Sequence, residues 1–349
     1  MPPTIFPADE HAIALATRRL IDGAIVALPT ETVYGLAARA DQPEAIQRIY
    51  TAKQRPATNP LIVHVHTIEH ARALTAAWPD VADRLARRFW PGPLTVVLPR
   101  GSALAPAVSA GRPTIALRIP RHPVLISILQ ACALPLAAPS ANRSNALSPV
   151  RAEHVARSLG DVDDLLILDA GPCTVGLEST VIDLTNTPPR LLRHGPIRPE
   201  DLHALIPDLI TAKEHIPDHL HRPSPGLSPR HYAPSAELHI FDVTELSLAL
   251  QAAELAHRQG QRTALLIAGP IPEQLPAGTQ LTCLPLGHTP AHAQARLYDL
   301  LHIADQQADW IGVIRPALHP DWAAINDRLE RAAHPAPSPG KKSTKGGIL

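Results

Sequence analysis

The chain predicts an α/β protein of two unequal domains. Three observations carry that expectation. Its 349 residues exceed the size at which one hydrophobic core usually keeps growing. Helical and strand periodicities interleave along most of its length. The pattern then fails between about Ile206 and Pro234, where "IPDHLHRPSPGLSPRHYAP" packs five prolines and a glycine into a segment that cannot be regular.

The elements follow in order. From Asp9 to Gly23 the positions Ile13, Ala16, Leu20 and Ile21 recur at helical spacing, with Asp9 able to cap the start and Gly23 suited to the end. "AIVAL" reads as a buried strand. "ALPTETVYGLAARA" reads as a loop rich in hydrogen-bonding groups with little reason to be buried. A second helix has Asp41 as cap, Pro43 in its first turn, Ile46, Ile49 and Tyr50 on one face, and a stop before Pro56. "PLIVHV" is the next strand. Further helices are expected at 68–77, 79–89, 122–131 and 149–159, and strands at "LTVVL", "TIALRI", "PLAA", "LLIL", "STVIDL" and "RLLR". Beyond the proline-rich stretch, "LHIFDV", "TALLIAG", "LTCLPL" and "WIGVIRP" alternate with helical patterns at 244–259 and 290–308. That order favours a smaller Rossmann-like parallel sheet. A last helix near 320–333 precedes the polar tail "PAPSPGKKSTKGGIL". The domain expectation is therefore 1–205, a linker at 206–235, a second domain at 236–335, and a tail.

Composition limits the chemistry. Lys+Arg and Asp+Glu stand at 32 each, so the chain has no strong bulk field and any polyanion site must be local. The three cysteines, Cys132, Cys173 and Cys283, lie far apart without CxxC spacing, which argues against a disulfide framework or a cysteine metal site and fits a reducing compartment. No run approaches 18 uninterrupted apolar residues, and the first 20 residues lack a basic stretch followed by an apolar one. The expected setting is cytosolic, with no membrane partner.

Several fragments could carry chemistry. In "YTAKQRPATNPLIVHV" a helix gives way to a proline-bounded loop, so Lys53 and Arg55 can project together, followed by Asn59 and His64. A planar Arg fork beside a Lys suits phosphate oxygens, although two cations at a helix end are more often just solvated. His64 and His66 share a strand face, but no third metal-ligand spacing accompanies them. "PLAAPSANRSNALSPV" delivers Ser140 and Asn142 from a short buried strand into a loop, and Ser148 with Pro149 reads as the cap and first residue of a helix. "GPCTVGLEST" has Gly171 and Gly176 at phosphate-loop spacing, but Leu177 stands where the lysine should be and Glu178 where Ser or Thr should bind magnesium. Ser179, Thr180 and Arg193 fall at strand termini, where α/β sites tend to form.

Each fragment alone is weak. In order, however, "PTETVYGLA", "KQRPATNPLIVHV", "WPGPLT", "TIALRIP", "APSANRSNALSP", "ESTVIDL", "LLRHGPI" and "SPGLSPRHYAP" closely resemble the YrdC/TsaC family of L-threonylcarbamoyladenylate synthases, in its long two-domain form. The resemblance implies a twisted open mixed sheet with a basic concave site. It also implies condensation of L-threonine, bicarbonate and ATP, with Mg2+ held mainly through ATP and no metal site of the protein's own. The products are threonylcarbamoyl-AMP and pyrophosphate, the former passed to a TsaD-type threonylcarbamoyltransferase complex and thus indirectly to tRNA. Carried over residue by residue, Lys53, Arg55, Ser140 and Asn142 match the signatures facing the phosphates and the carbamate. Arg55, Asn59, Thr114, Ser140, Ser148 and Arg193 match nucleotide contacts, and His231 and Tyr232 match linker residues that close over the nucleotide. Thr32, Tyr34, His64, Arg118, Ala138 and Ser179 match the threonine pocket, with Arg118 as partner of the carboxylate. Two departures stand out: Asn145 where the family usually has Gly, and Val150 where it usually has Thr. The competing expectation is a non-catalytic module of the same fold that holds double-stranded RNA or tRNA. Overall neutrality and 3% aromatic residues count against it.

Overall fold

A computed structural model describes residues 2–211, 231–268 and 281–333. In chain order its elements are β1 (Thr4–Pro7), α1 (Glu10–Ile21), β2 (Val26–Leu28), β3 (Gly35–Arg39), α2 (Pro43–Lys53), β4 (Ile62–His64), α3 (Ile68–Ala73), α4 (Asp80–Phe89), β5 (Leu94–Pro99), β6 (Thr114–Arg118), α5 (Pro123–Cys132), β7 (Leu136–Ala137), α6 (Ala152–Ser158), β8 (Leu166–Asp169), β9 (Thr180–Asp183), β10 (Arg190–Arg193) and α7 (Pro199–His203). The second domain contributes β11 (Glu237–Phe241), α8 (Leu246–Arg258), β12 (Thr263–Ile267), β13 (Leu281–Pro285), α9 (Pro290–Gln307), β14 (Trp310–Ile314) and α10 (Ala323–Ala332).

Ten strands form one mixed sheet in the order β1-β8-β2-β3-β7-β4-β6-β5-β9-β10. Helices α1 and α5 cover one face of its β2–β8 side through Ala16, Leu20, Leu125 and Ile128, while α2 lies on the opposite face through Ile46, Ile49 and Tyr50. Asp9 caps α1 as expected, its carboxylate accepting from the Ala12 amide at 2.8 Å. Asp41 does not cap α2. It ion-pairs with Arg39 at 2.8 Å, and Gln42 occupies the cap position without a side-chain bond. Ser148 is no cap either, because α6 starts at Ala152 behind Arg151.

Residues 27–38 are all buried, contrary to the expectation of an exposed loop, and β3 begins at Gly35 inside that stretch. The reason is that its polar groups find partners both within the stretch and across the fold. The Thr30 hydroxyl accepts from the amides of Thr32 and Val33 and donates to the Val33 carbonyl at 2.7 Å. The Tyr34 and Leu36 amides donate to the Pro149 and Pro139 carbonyls. With its backbone paired, the stretch can be buried at little cost.

The second sheet is parallel throughout, in the order β11-β14-β12-β13. It is Rossmann-like in its parallel strands and flanking helices, but β14 inserts between β11 and β12, an order distinct from the dinucleotide-binding one. One face packs on α8 through Leu265, Ile267 and Ile314. The other, with Ala264, Leu266, Ile311 and Val313, joins Leu297, Leu301 and Leu329 in a core continuous with that of the first domain. The linker region from 212 to 230 lies outside the described residues. Residues just before it still pack on the first domain, where the Leu191 amide donates to the Ile210 carbonyl at 2.8 Å.

Candidate active site

Strand ends and loops from across the large sheet meet at one cavity. Ten of the expected residues line it: Thr32, Arg55, His64, Arg118, Ala138, Ser140, Ser179, Arg193, His231 and Tyr232. Val33, Ile62, Pro139 and Glu178 complete the wall. Three guanidinium groups therefore share one concavity in a chain of zero formal net charge. That arrangement creates a local anion site where bulk charge supplies none.

Arg55 follows the left-handed turn at Gln54, whose φ is 50°. Its Nε and Nη2 donate to the carbonyls of Asn59 and Pro60, so the fork is held by backbone, and burial lowers its pKa to about 10. Arg193 donates through Nε to the Ser179 carbonyl and through Nη2 to its hydroxyl at 3.1 Å. Ser179 in turn shares a hydrogen bond of 2.7 Å with Thr95. Arg118 lies 2.8 Å from the carboxylate of Glu31, with both side chains buried. Burial raises the Glu31 pKa, but Arg118, with backbone hydrogen bonds, more than offsets it and leaves the carboxyl lowered. Burial, reinforced by Arg118, holds His64 near 3, so its imidazole is neutral at physiological pH. His231 is likewise held well below its ordinary value by burial and then by Arg55 and Lys53.

Six expected residues do not line the cavity. Lys53 does not project into it beside Arg55: its ammonium is buried and donates to the carbonyls of Ser140, at 2.6 Å, and Asn142. A helix end and a strand end are thereby tied together directly behind the wall. Asn142 donates from Nδ2 to the Arg143 and Ala146 carbonyls, shaping its own loop. Asn59 is buried, and its backbone carbonyl accepts from Tyr50 and Arg55. Tyr34 turns away and donates to the Gly171 carbonyl at 2.8 Å. Thr114 opens β6 opposite Pro99. Ser148 is fully buried and donates to Glu178 at 2.5 Å.

Sequence reasoning missed Glu31 and Glu178. In the sequence Glu178 reads only as a residue out of place in a phosphate loop. The available signal for Glu31 was a carboxylate in a run otherwise free of charge, which demands a counter-ion once buried. Asn145, one of the two departures, has φ 69°, a left-handed conformation that Asn tolerates, and its carbonyl accepts from the Ala233 amide at 3.0 Å. Val150, the other, packs in the core. The His231 amide donates to the Arg331 carbonyl at 3.2 Å, so the segment carrying His231 and Tyr232 is held from both domains.

Residues 18–195 match the Sua5–YciO–YrdC family model, described as telomere recombination, and residues 197–334 match the threonylcarbamoyl-AMP synthase C-terminal domain. A threonylcarbamoyl-AMP synthase of Bacillus subtilis is 45% identical over 67% of this chain and 68% of that protein. Another from Pyrococcus abyssi is 42% identical over 67% of this chain and 69% of its own length. The crystal structure of P. abyssi Sua5 complexed with L-threonine superposes with a TM-score of 0.85 at 33% identity, covering 95% of this chain and 96% of that one. A ten-stranded sheet carrying an arginine-rich cavity, a second parallel domain sharing its core, and matches to both family models agree: this chain belongs to the Sua5/YrdC family of threonylcarbamoyl-AMP synthases, in its two-domain form.

Proposed function

We propose that this cavity condenses L-threonine, bicarbonate and ATP into threonylcarbamoyl-AMP and pyrophosphate. The convergence of Arg55, Arg118 and Arg193 with the strand-end residues Ser140 and Ser179 carries that reading. A triphosphate needs clustered, preorganised cations, and a small amino acid needs one carboxylate partner beside a modest apolar wall. Arg118 would take the threonine carboxylate, sharing its fork with Glu31, while Val33, Ile62 and Ala138 offer contact to the side-chain methyl. Arg55 and Arg193 would face the polyphosphate. Lys53 and Asn142 would act from behind the wall, holding the strand end at Ser140 in place.

The threonine amine attacks the bicarbonate carbon, whose hydroxyl leaves with an amine proton as water, and the resulting carbamate attacks the α-phosphorus and expels pyrophosphate. No covalent enzyme intermediate is required, so positioning and charge stabilisation supply the catalysis. Among the described residues no group of three or more His, Cys, Asp or Glu side chains could hold a metal ion. Glu178, the one carboxylate in the described wall, is already hydrogen-bonded. Magnesium would enter on the phosphates of ATP, as part of the substrate. The product would pass to a TsaD-type transferase and so to tRNA, in the cytoplasm; no helix among the described residues is long and apolar enough to cross a membrane.

Incubation with ATP, threonine, bicarbonate and magnesium should release pyrophosphate only when threonine is present. Pyrophosphate that appears only when RNA is added would sink this reading and favour an RNA-dependent one.

A further inference from the structure

We propose that the second domain completes the nucleotide side of the cavity: Arg328 and Tyr298 are positioning residues that compensate a carboxylate, Glu178, built into its wall. The inference rests on the synthase reading above and assigns the second domain a part in substrate binding.

Glu178 stands at the turn leading into β9, is 6% exposed, and lines the cavity with Ser179 and Arg193. Its carboxylate accepts from the Ser148 hydroxyl at 2.5 Å, from the Tyr298 hydroxyl at 3.1 and 3.2 Å, and from Arg328 Nε at 2.8 Å. Two of these three donors belong to the second domain, on α9 and α10. Arg328 is wholly buried, and its remaining nitrogens reach the Asp327 carboxylate at 2.9 Å and the His194 carbonyl at 3.0 Å. Its guanidinium carbon lies 5.1 Å from the Tyr232 ring centroid, and Tyr298 packs on the same ring at 5.9 Å. One side chain thus touches the cavity wall, the β10 end and the segment bearing the expected nucleotide contact. Asp327 also pairs with Arg331 at 3.1 Å, so Glu178, Asp327, Arg328 and Arg331 form a cluster that balances its charge.

Domain docking alone does not require this arrangement. A buried ion pair contributes little net stability over packed apolar residues of the same volume. A carboxylate facing a cavity meant for a triphosphate repels its substrate unless its charge is matched, and the cation that hydrogen-bonds it here, Arg328, comes from the other domain and acts ahead of Arg193 in the wall itself. Glu178 also fixes the direction of the Ser148 hydroxyl, and that serine is an expected nucleotide contact which the cavity itself does not expose.

The test measures KM for ATP and for threonine in pyrophosphate release, together with ATP affinity by calorimetry, on the full chain. Arg328→Met should weaken ATP by about tenfold or more, the usual scale for stranding one partner of a buried charge pair, and change the KM for threonine little. Adding Glu178→Gln to Arg328→Met should restore most of the ATP affinity, because the unmatched charge is gone while the Ser148 and Tyr298 hydroxyls keep an acceptor. Tyr298→Phe, which removes one donor and no charge, should weaken ATP about two- to fivefold and serves if Arg328→Met does not fold. A folded Arg328→Met with unchanged ATP affinity overturns the inference, as does a loss that Glu178→Gln does not rescue, or an unaffected Tyr298→Phe where only that variant folds. Wild-type protein that binds ATP but releases no threonine-dependent pyrophosphate overturns the synthase reading instead.

Discussion

Replacing Arg118 with Met keeps much of the side chain's length and removes its charge. The Glu31 carboxylate, 2.8 Å away with a side chain 4% exposed, is then buried without its counter-ion. Breaking such a pair costs about 3–5 kcal/mol. The pH dependence of that cost identifies its cause. In the wild type Arg118 keeps the Glu31 pKa lowered against burial, and burial with Arg118 holds His64 near 3, so between pH 5 and pH 7 the folded protein binds neither proton. In the variant burial raises Glu31 against its backbone hydrogen bonds alone, and His64 loses the repulsion of Arg118. Both changes favour proton uptake, up to one proton shared between the two sites in the folded state. The unfolded chains titrate alike at both sites. Acid therefore favours the variant relative to the wild type, and the cost should shrink by up to about 1.4 kcal/mol per unit as the pH falls from 7 to 5. In absolute terms, the wild-type contribution from His64 is fully present above its unfolded pKa and is lost as the pH drops towards 3. Urea denaturation of both proteins at pH 5, 6 and 7, followed by tryptophan fluorescence, reads the difference. A cost equal at pH 5 and pH 7, or below about 1 kcal/mol at pH 7, refutes the buried-pair argument.

Three further outcomes follow from the same geometry. Lys53→Met strands the buried carbonyls of Ser140 and Asn142; it should cost about 1–3 kcal/mol per group in stability and slow pyrophosphate release by about 100-fold, so a variant retaining half the rate would remove Lys53 from the machinery. Gly176 has φ +75°, and a Cβ there would meet the Gln294 carbonyl at 2.5 Å and Ala295 Cα at 2.7 Å on α9. Gly176→Ala should therefore lower the melting temperature, by about 2–4 °C per kcal/mol of strain, and an unchanged melting curve would contradict that backbone contact. Serine lacks only the threonine methyl, worth about 1–3 kcal/mol against Val33, Ile62 and Ala138, so serine should be used at a reduced but measurable rate; a preference above about 10,000-fold contradicts the estimate.

Much of this structure was readable from residue order. The Asp9 cap, the faces of α1 and α2, and the alternating elements of the second domain follow from periodicity and turn chemistry, which are local properties. The buried stretch at 27–38 was not readable, because its polar groups are satisfied by partners as distant as Pro149 and Val175. The same limit explains Lys53. Its sequence neighbours place it beside Arg55, but the carbonyls it meets are 87 and 89 positions away, and their pull wins over solvent. Ser148 looked like a cap because Pro149 follows it, yet a buried carboxylate 30 residues on offered its hydroxyl a stronger partner than a helix amide. Glu178 and Glu31 were hidden for a related reason: a carboxylate's worth depends on which cation the fold brings to it.

The apolar core that runs without a break from α2 to α10 has a consequence for how the chain is made. Synthesis proceeds from the N-terminus, so the large sheet emerges while α9 and α10 are still untranslated. Until they arrive, the first domain's share of that core lacks Leu297, Leu301 and Leu329, and Glu178 has neither Arg328 nor Tyr298. Shortened chains ending near residue 205 should therefore be sticky and should call on chaperones, while the complete polypeptide matures in one late step that seals its greasy seam and balances its carboxylate together.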